Sequence, residues 1–100
     1  MQPPYYAVIF TSVSTENNEG YSEMADVMEK LAQLQEGYLG IESARNDIGI
    51  TVSYWKDLES IRIWKKNVDH LEAQRKGRNS WYKSYTVRIA LVEREYSFEL

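Results

Sequence analysis

Few residues in this 100-residue chain could do chemistry, and most of them fall in its second half. His70 is the single histidine, and its ordinary pKa of about 6.5 would let it take up or release a proton near neutral pH. His70, Gln74, Gly77 and Trp81 recur at i, i+4, i+7 and i+11, which on a 3.6-residue helix places them within about 60° of one another. A line of His, Gln and Trp around a glycine has the polar and aromatic mix of a pocket wall rather than of a core face. Trp55 and Trp64 flank the turn upstream, and Arg78 and Tyr82 stand beside the line. Other chemistries lack their residues. There is no cysteine, one histidine among scattered carboxylates shows no metal-ligand spacing, and no glycine-rich loop could cradle a phosphate.

The elements that would carry these residues can be read from periodicity. Tyr5 to Val13 is aromatic and β-branched and reads as a first strand, entered from a proline pair. Both of its alternating faces are apolar, so something should cover both sides. Met24, Val27, Met28 and Leu31 mark an amphipathic helix from Tyr21 to Gln35, with Gly37 as its stop. Tyr38 to Ala44 is a second strand, and Asn46-Asp47-Ile48-Gly49 closes a hairpin onto a third, Ile50 to Trp55. Asp57 then stands where its carboxylate would cap the amide of Ser60, with Leu58, Ile61, Trp64 and Val68 as the buried stripe of a second helix. Asp69 followed by Glu72 resembles a new helix start, which predicts a break near Asn67 and a further helix from His70 to Lys83. On an unbroken helix Trp64 and His70 would point about 120° apart, and a bend could bring them together. A long strand, Thr86 to Phe98, completes the order, with a shift of apolar phase near Val92 that a bulge or a handover to a second surface would explain.

The result is one α+β domain spanning 1–100 with a ferredoxin-like, split-βαβ order: a four-stranded antiparallel sheet with helices on one face. A net charge of -3 without a basic stripe argues against nucleic acid as partner. No long apolar run suggests a membrane span, and the absence of cysteine fits a reducing cytoplasm.

The ordered series Gly37-Tyr38-Leu39-Gly40-Ile41-Glu42-Ser43, Tyr54-Trp55, Glu59, Trp64, His70 and Trp81-Tyr82 resembles the antibiotic biosynthesis monooxygenase family of the dimeric α+β barrel superfamily. The resemblance runs from Tyr5 to Phe98. It implies a homodimer packed sheet to sheet, which would cover the second apolar face of the first strand. It also implies a small aromatic substrate of quinol or phenol type, oxygenated without metal, flavin or haem. On that reading His70 is the proton acceptor, Trp64, Trp81 and Tyr82 are the walls, and Gln74 and Arg78 hold a phenolate or carbonyl oxygen. Family members that bind and degrade haem carry an Asn on the first strand and a His ten residues after the Trp matching Trp64. Here that strand has no Asn and the position ten after Trp64 is Gln74, so haem is disfavoured and no cofactor is expected.

Each residue also has a plain structural reading. His70 could be a cap or interface residue, Trp64 core, Trp81 and Tyr82 dimer contacts, and Arg78 a surface ion pair. A dimeric domain that binds a small ligand without turning it over is the non-catalytic alternative.

Overall fold

The structure, a computed structural model, describes residues 1–17, 19–75 and 81–100, with the backbone alone at 72–75. The elements follow as β1 (Tyr5–Ser14), α1 (Tyr21–Gln33), β2 (Tyr38–Arg45), β3 (Gly49–Trp55), α2 (Leu58–Arg75) and β4 (Tyr82–Val92). The strands form one antiparallel sheet in the order β2-β3-β1-β4, with α1 against β2 and α2 against β3. This is the α+β ferredoxin-like arrangement expected from the order of patterns.

Side-chain alternation divides the sheet into two faces. Tyr6, Val8 and Phe10 share the helix side with Trp55, Ser53 and Thr51, their partners on β3. Trp55 is fully buried there with Ala32 of α1 and Ile61 of α2, and Tyr6, Val8, Tyr38 and Trp64 pack around this nucleus. The indole N–H of Trp55 donates to Ser53 Oγ at 2.9 Å, which removes the cost of burying an unpaired donor. The opposite face carries Ala7, Ile9 and Val13 of β1 with Ile50 and Val52 of β3, and no helix covers it within the described residues.

The turn from β3 into α2 forms as its residues require. Asp57 Oδ1 accepts the backbone N–H of Ser60 at 2.8 Å and caps the helix. Gly37, at φ +90°, faces this cap: its carbonyl accepts the Lys56 N–H at 2.9 Å, and a Cβ there would overlap the Ser60 side chain. The hairpin turn lies at 46–48, as expected.

Three expectations are corrected. α2 runs unbroken from Leu58 to Arg75, so there is no break at Asn67. Asn67 Nδ2 donates to the Ile63 carbonyl one turn back and to Gln35 Oε1 of α1, which ties the helix down at the supposed break. Asp69 accepts from Lys65 Nζ at 2.7 Å, so its carboxylate serves an i,i+4 pair within the helix rather than a cap. Tyr82 and Lys83 are strand, not helix, while residues 76–80 of the expected helix lie outside the described residues: Ser14 pairs with Tyr82 and Ser12 with Tyr85, and a bulge between Val13 and Ser14 absorbs the change of register. Finally, β4 ends at Val92 and not at Phe98, because its last partner is Tyr5. Beyond Tyr5 stands Pro4, which has no N–H to offer an antiparallel neighbour. The change of apolar phase after Val92 marks the end of the strand. Among the described residues no helix is long and apolar enough to cross a membrane.

Candidate functional site

The helices sit over β2 and β3, and the helix-side residues of β4 are left half exposed. These are Tyr85, Val87, Ile89 and Leu91, at 43%, 45%, 53% and 48% exposure. Their partners on β1 are Ser12, Phe10, Val8 and Tyr6, so β1 and β4 together make an apolar strip that runs along the edge of the core. At one end lies Tyr6, packed with Trp55 and Trp64 against the core. At the other end the aromatic rings gather: Phe10 stacks on Tyr85 with centroids 5.3 Å apart, and Tyr82 meets Phe10 and Tyr21 edge-on at 5.5 Å and 6.0 Å. From Tyr6 to Phe10 the strip extends roughly 13 Å, at about 3.4 Å per strand residue.

A cation stands at the aromatic end. Arg45, the last residue of β2, reaches across β3 to β1, where its guanidinium donates to Ser14 Oγ at 2.7 Å and to Ser12 Oγ. It also lies 6.0 Å from the centre of the Tyr21 ring, within cation–π range. The residue between Arg45 and Ser12 in this row is Gly49, and a Cβ there would overlap the guanidinium. Gly49 is thus required for space and not for its backbone angles. Ser12 is buried, so the arginine is fixed by neutral hydroxyls, and among the described residues no carboxylate pairs with it. A guanidinium held by hydroxyls beside exposed aromatic and aliphatic surface can accept an anionic oxygen attached to a flat apolar body.

The residues singled out from the sequence are distributed differently. Trp64 is half buried and stacks on Trp55, with centroids 5.7 Å apart, at the core end of the strip. Trp81 is buried where the chain enters β4; its Nε1–H donates to the Glu19 carbonyl at 2.8 Å and its ring meets Tyr21 edge-on at 5.7 Å. It pins the loop between β1 and α1. Tyr82 joins the aromatic end of the strip. His70 is exposed on α2 and, on the unbroken helix, lies about 120° round from Trp64. The helix therefore does not bring the two together. The side chain of Gln74, and Arg78 altogether, lie outside the described residues. Among the described residues no three His, Asp or Glu side chains are grouped to hold a metal ion.

Arg45 was missed by sequence reasoning. Its signal is faint: an arginine closing a strand, with a glycine four residues later across a hairpin. Only the pairing register shows that the glycine leaves a channel for it.

Comparison with known proteins gives a consistent picture. No protein-family model matches the chain. The uncharacterized protein YqjZ of Bacillus subtilis is 50% identical over 100 residues, covering 98% of this chain and 88% of YqjZ. Among solved structures, a provisionally assigned antibiotic biosynthesis monooxygenase of Nitrosomonas europaea superposes with a TM-score of 0.75 at 11% identity, over 92% of this chain and 93% of that one. A point mutant of SnoaB, a cofactor-independent oxygenase of Streptomyces nogalater, superposes with a TM-score of 0.75 at 8% identity, over 93% of this chain and 97% of that one. PA3566 of Pseudomonas aeruginosa gives a TM-score of 0.69 at 13% identity, covering 96% of this chain and 99% of that one.

Proposed function

Because the chain belongs to one family with YqjZ and has the antibiotic-biosynthesis-monooxygenase fold of the dimeric α+β barrel superfamily, we propose that it oxygenates a small phenol or quinol without a bound cofactor. The observation that carries this reading is Arg45, a hydroxyl-held cation at the aromatic end of an exposed apolar strip. The flat body of the substrate lies along Val87 and Ile89 with Phe10, Tyr82 and Tyr85 at its edge, and its oxygen faces the guanidinium. Arg45 favours the phenolate over the phenol, and the phenolate is the electron-rich species that dioxygen can oxidise.

The reaction balances with dioxygen as sole oxidant. An aryl C–H and the phenolic O–H are lost, one oxygen atom becomes the new quinone carbonyl, and the other leaves as water. The proton-acceptor role proposed for His70 is separable from the role of Arg45: a rate unchanged in His70→Ala would assign the proton to solvent. Trp64, Gln74, Arg78 and Trp81 complete the proposed set of substrate contacts from the sequence. The protein acts as a homodimer packed through the sheet face that α1 and α2 leave open.

Oxygen uptake and quinone absorbance with a dihydroxynaphthalene probe test the reading. Turnover above the buffer rate, falling at least about tenfold in Arg45→Met, is expected, a loss of about 1.4 kcal/mol in transition-state stabilisation. Saturable quenching of tryptophan fluorescence by the probe without oxygen uptake would replace the oxygenase by a ligand-binding domain.

A further inference from the structure

Glu42, Val52, Ile9 and Arg88 stand in a single row across all four strands. Glu42 pairs with Val52, Val52 with Ile9, and Ile9 with Arg88. Directly paired residues share a face, so this row lies on the side away from Trp55 and the helices. Its middle is aliphatic and its two ends carry opposite charge, on the two edge strands of the sheet. The paired positions around it are largely apolar or neutral: Ala44, Ile50, Ala7 and Ala90 among them. Among the described residues no ion pair engages Arg88. The Glu42 carboxylate is held at the face by Tyr54, whose hydroxyl donates to its Oε1 at 2.6 Å.

With the strands of the two sheets kept aligned, a two-fold axis can bring two copies of such a face together in two ways. If the axis runs along the strands, β2 of one copy lies over β4 of the other, and every residue row meets the same row reversed. Glu42 then faces Arg88 of the partner subunit, twice. If the axis runs across the strands, β2 lies over β2 and β4 over β4, which gathers the carboxylates on one side and the guanidinium groups on the other. Packed sheets are about 10 Å apart, a gap that a glutamate and an arginine reaching toward each other can close. Like charges buried at an interface are strongly disfavoured, so the two ends of the row discriminate between the arrangements.

We propose that Glu42 and the partner's Arg88 form two symmetry-related ion pairs that set the dimer with its two-fold axis along the strands. This deepens the homodimer reading above and rests on it. The apolar middle of the row supplies the contact, and the charged ends supply its orientation.

Light scattering after gel filtration, at low salt and micromolar protein, tests it on the full chain. The wild type is expected to be a dimer. Glu42→Lys and Arg88→Glu each place like charges opposite one another at both pairs, and each should weaken dimerisation at least about tenfold. The double variant Glu42→Lys/Arg88→Glu restores opposite charges and should recover the dimer. A monomeric wild type would sink the homodimer reading itself. A dimeric wild type whose single variants dimerise equally well would leave that reading standing and overturn the pairing, as would weakened single variants that the double change does not repair. Circular dichroism of each variant, expected to match the wild type, separates lost pairing from lost fold.

Discussion

The indole of Trp64 lies over that of Trp55, with ring centroids 5.7 Å apart and planes 27° from parallel. Trp55 has no exposed surface and Trp64 is only partly buried, so the pair spans the boundary between core and surface. One tryptophan is the floor and the other is its lid. Tyr6 packs against the same core cluster, at the end of the strip opposite Arg45.

This placement separates the two residues energetically. Trp55→Ala should lose about 3–5 kcal/mol of stability, the range for emptying a fully packed aromatic site. Trp64→Ala should lose distinctly less, because solvent can fill part of the space it leaves. Denaturant unfolding with circular dichroism measures both, and equal losses would contradict the boundary placement.

Gly49→Ala places a methyl group where the Arg45 guanidinium passes. The arginine must then leave Ser12 and Ser14, although Gly49 has no positive φ and the strand itself can accept alanine. The expected result is a loss of turnover or probe binding comparable to that of Arg45→Met, with the sheet intact by circular dichroism. A Gly49→Ala protein that binds the probe like the parent would remove Arg45 from the site.

Tyr54 supplies an alkaline test. Its hydroxyl bond to Glu42, followed by burial, pushes its pKa up to about 12 from the ordinary 10.0. A folded-state pKa raised in this way contributes stability that is fully present below about pH 10 and is lost as the pH climbs through about 12. The unfolding midpoint of the wild type should therefore fall across that window more steeply than that of Tyr54→Phe. Phenolate absorbance should show one fewer late-titrating tyrosine in the variant, and identical curves for the two proteins would refute the bond.

Asp57 supplies the acid counterpart. The hydroxyl of Ser60, and then its backbone N–H, hold the Asp57 carboxyl below its ordinary 3.8. A depressed folded-state pKa gives stability above that ordinary value which disappears as the pH falls through the folded one. Asp57→Ala should lower the melting temperature at neutral pH, and the gap from wild type should close as the pH drops below 3.8. A gap that persists in strong acid would mean that the carboxylate charge is not what caps α2.

The sequence by itself determined the elements and most of their order. Alternation made β1 to β3 readable, the stripe Met24, Val27, Met28, Leu31 made α1 readable, and Asp57 announced the start of α2, because each signal acts within a few residues. It also left both faces of β1 apolar and so pointed to a second layer. What it could not determine was the register of one strand against another and the side-chain contacts that follow from it. Trp81, Tyr82 and Tyr85 carry a helical spacing, yet pairing with Ser12 and Ser14 makes the last two strand residues, and aromatic side chains suit either structure. The end of β4 is set by Pro4, far away in sequence, and the continuity of α2 by Gln35 reaching Asn67. The expected site line from His70 through Gln74 to Trp81 assumed one continuous face of one helix. The strip along β1 and β4 leads to Arg45, whose route over Gly49 exists only once β2, β3 and β1 are in register. Local periodicity is written in neighbouring residues, whereas a site built across strands follows from hydrogen-bond register, which only the folded sheet decides.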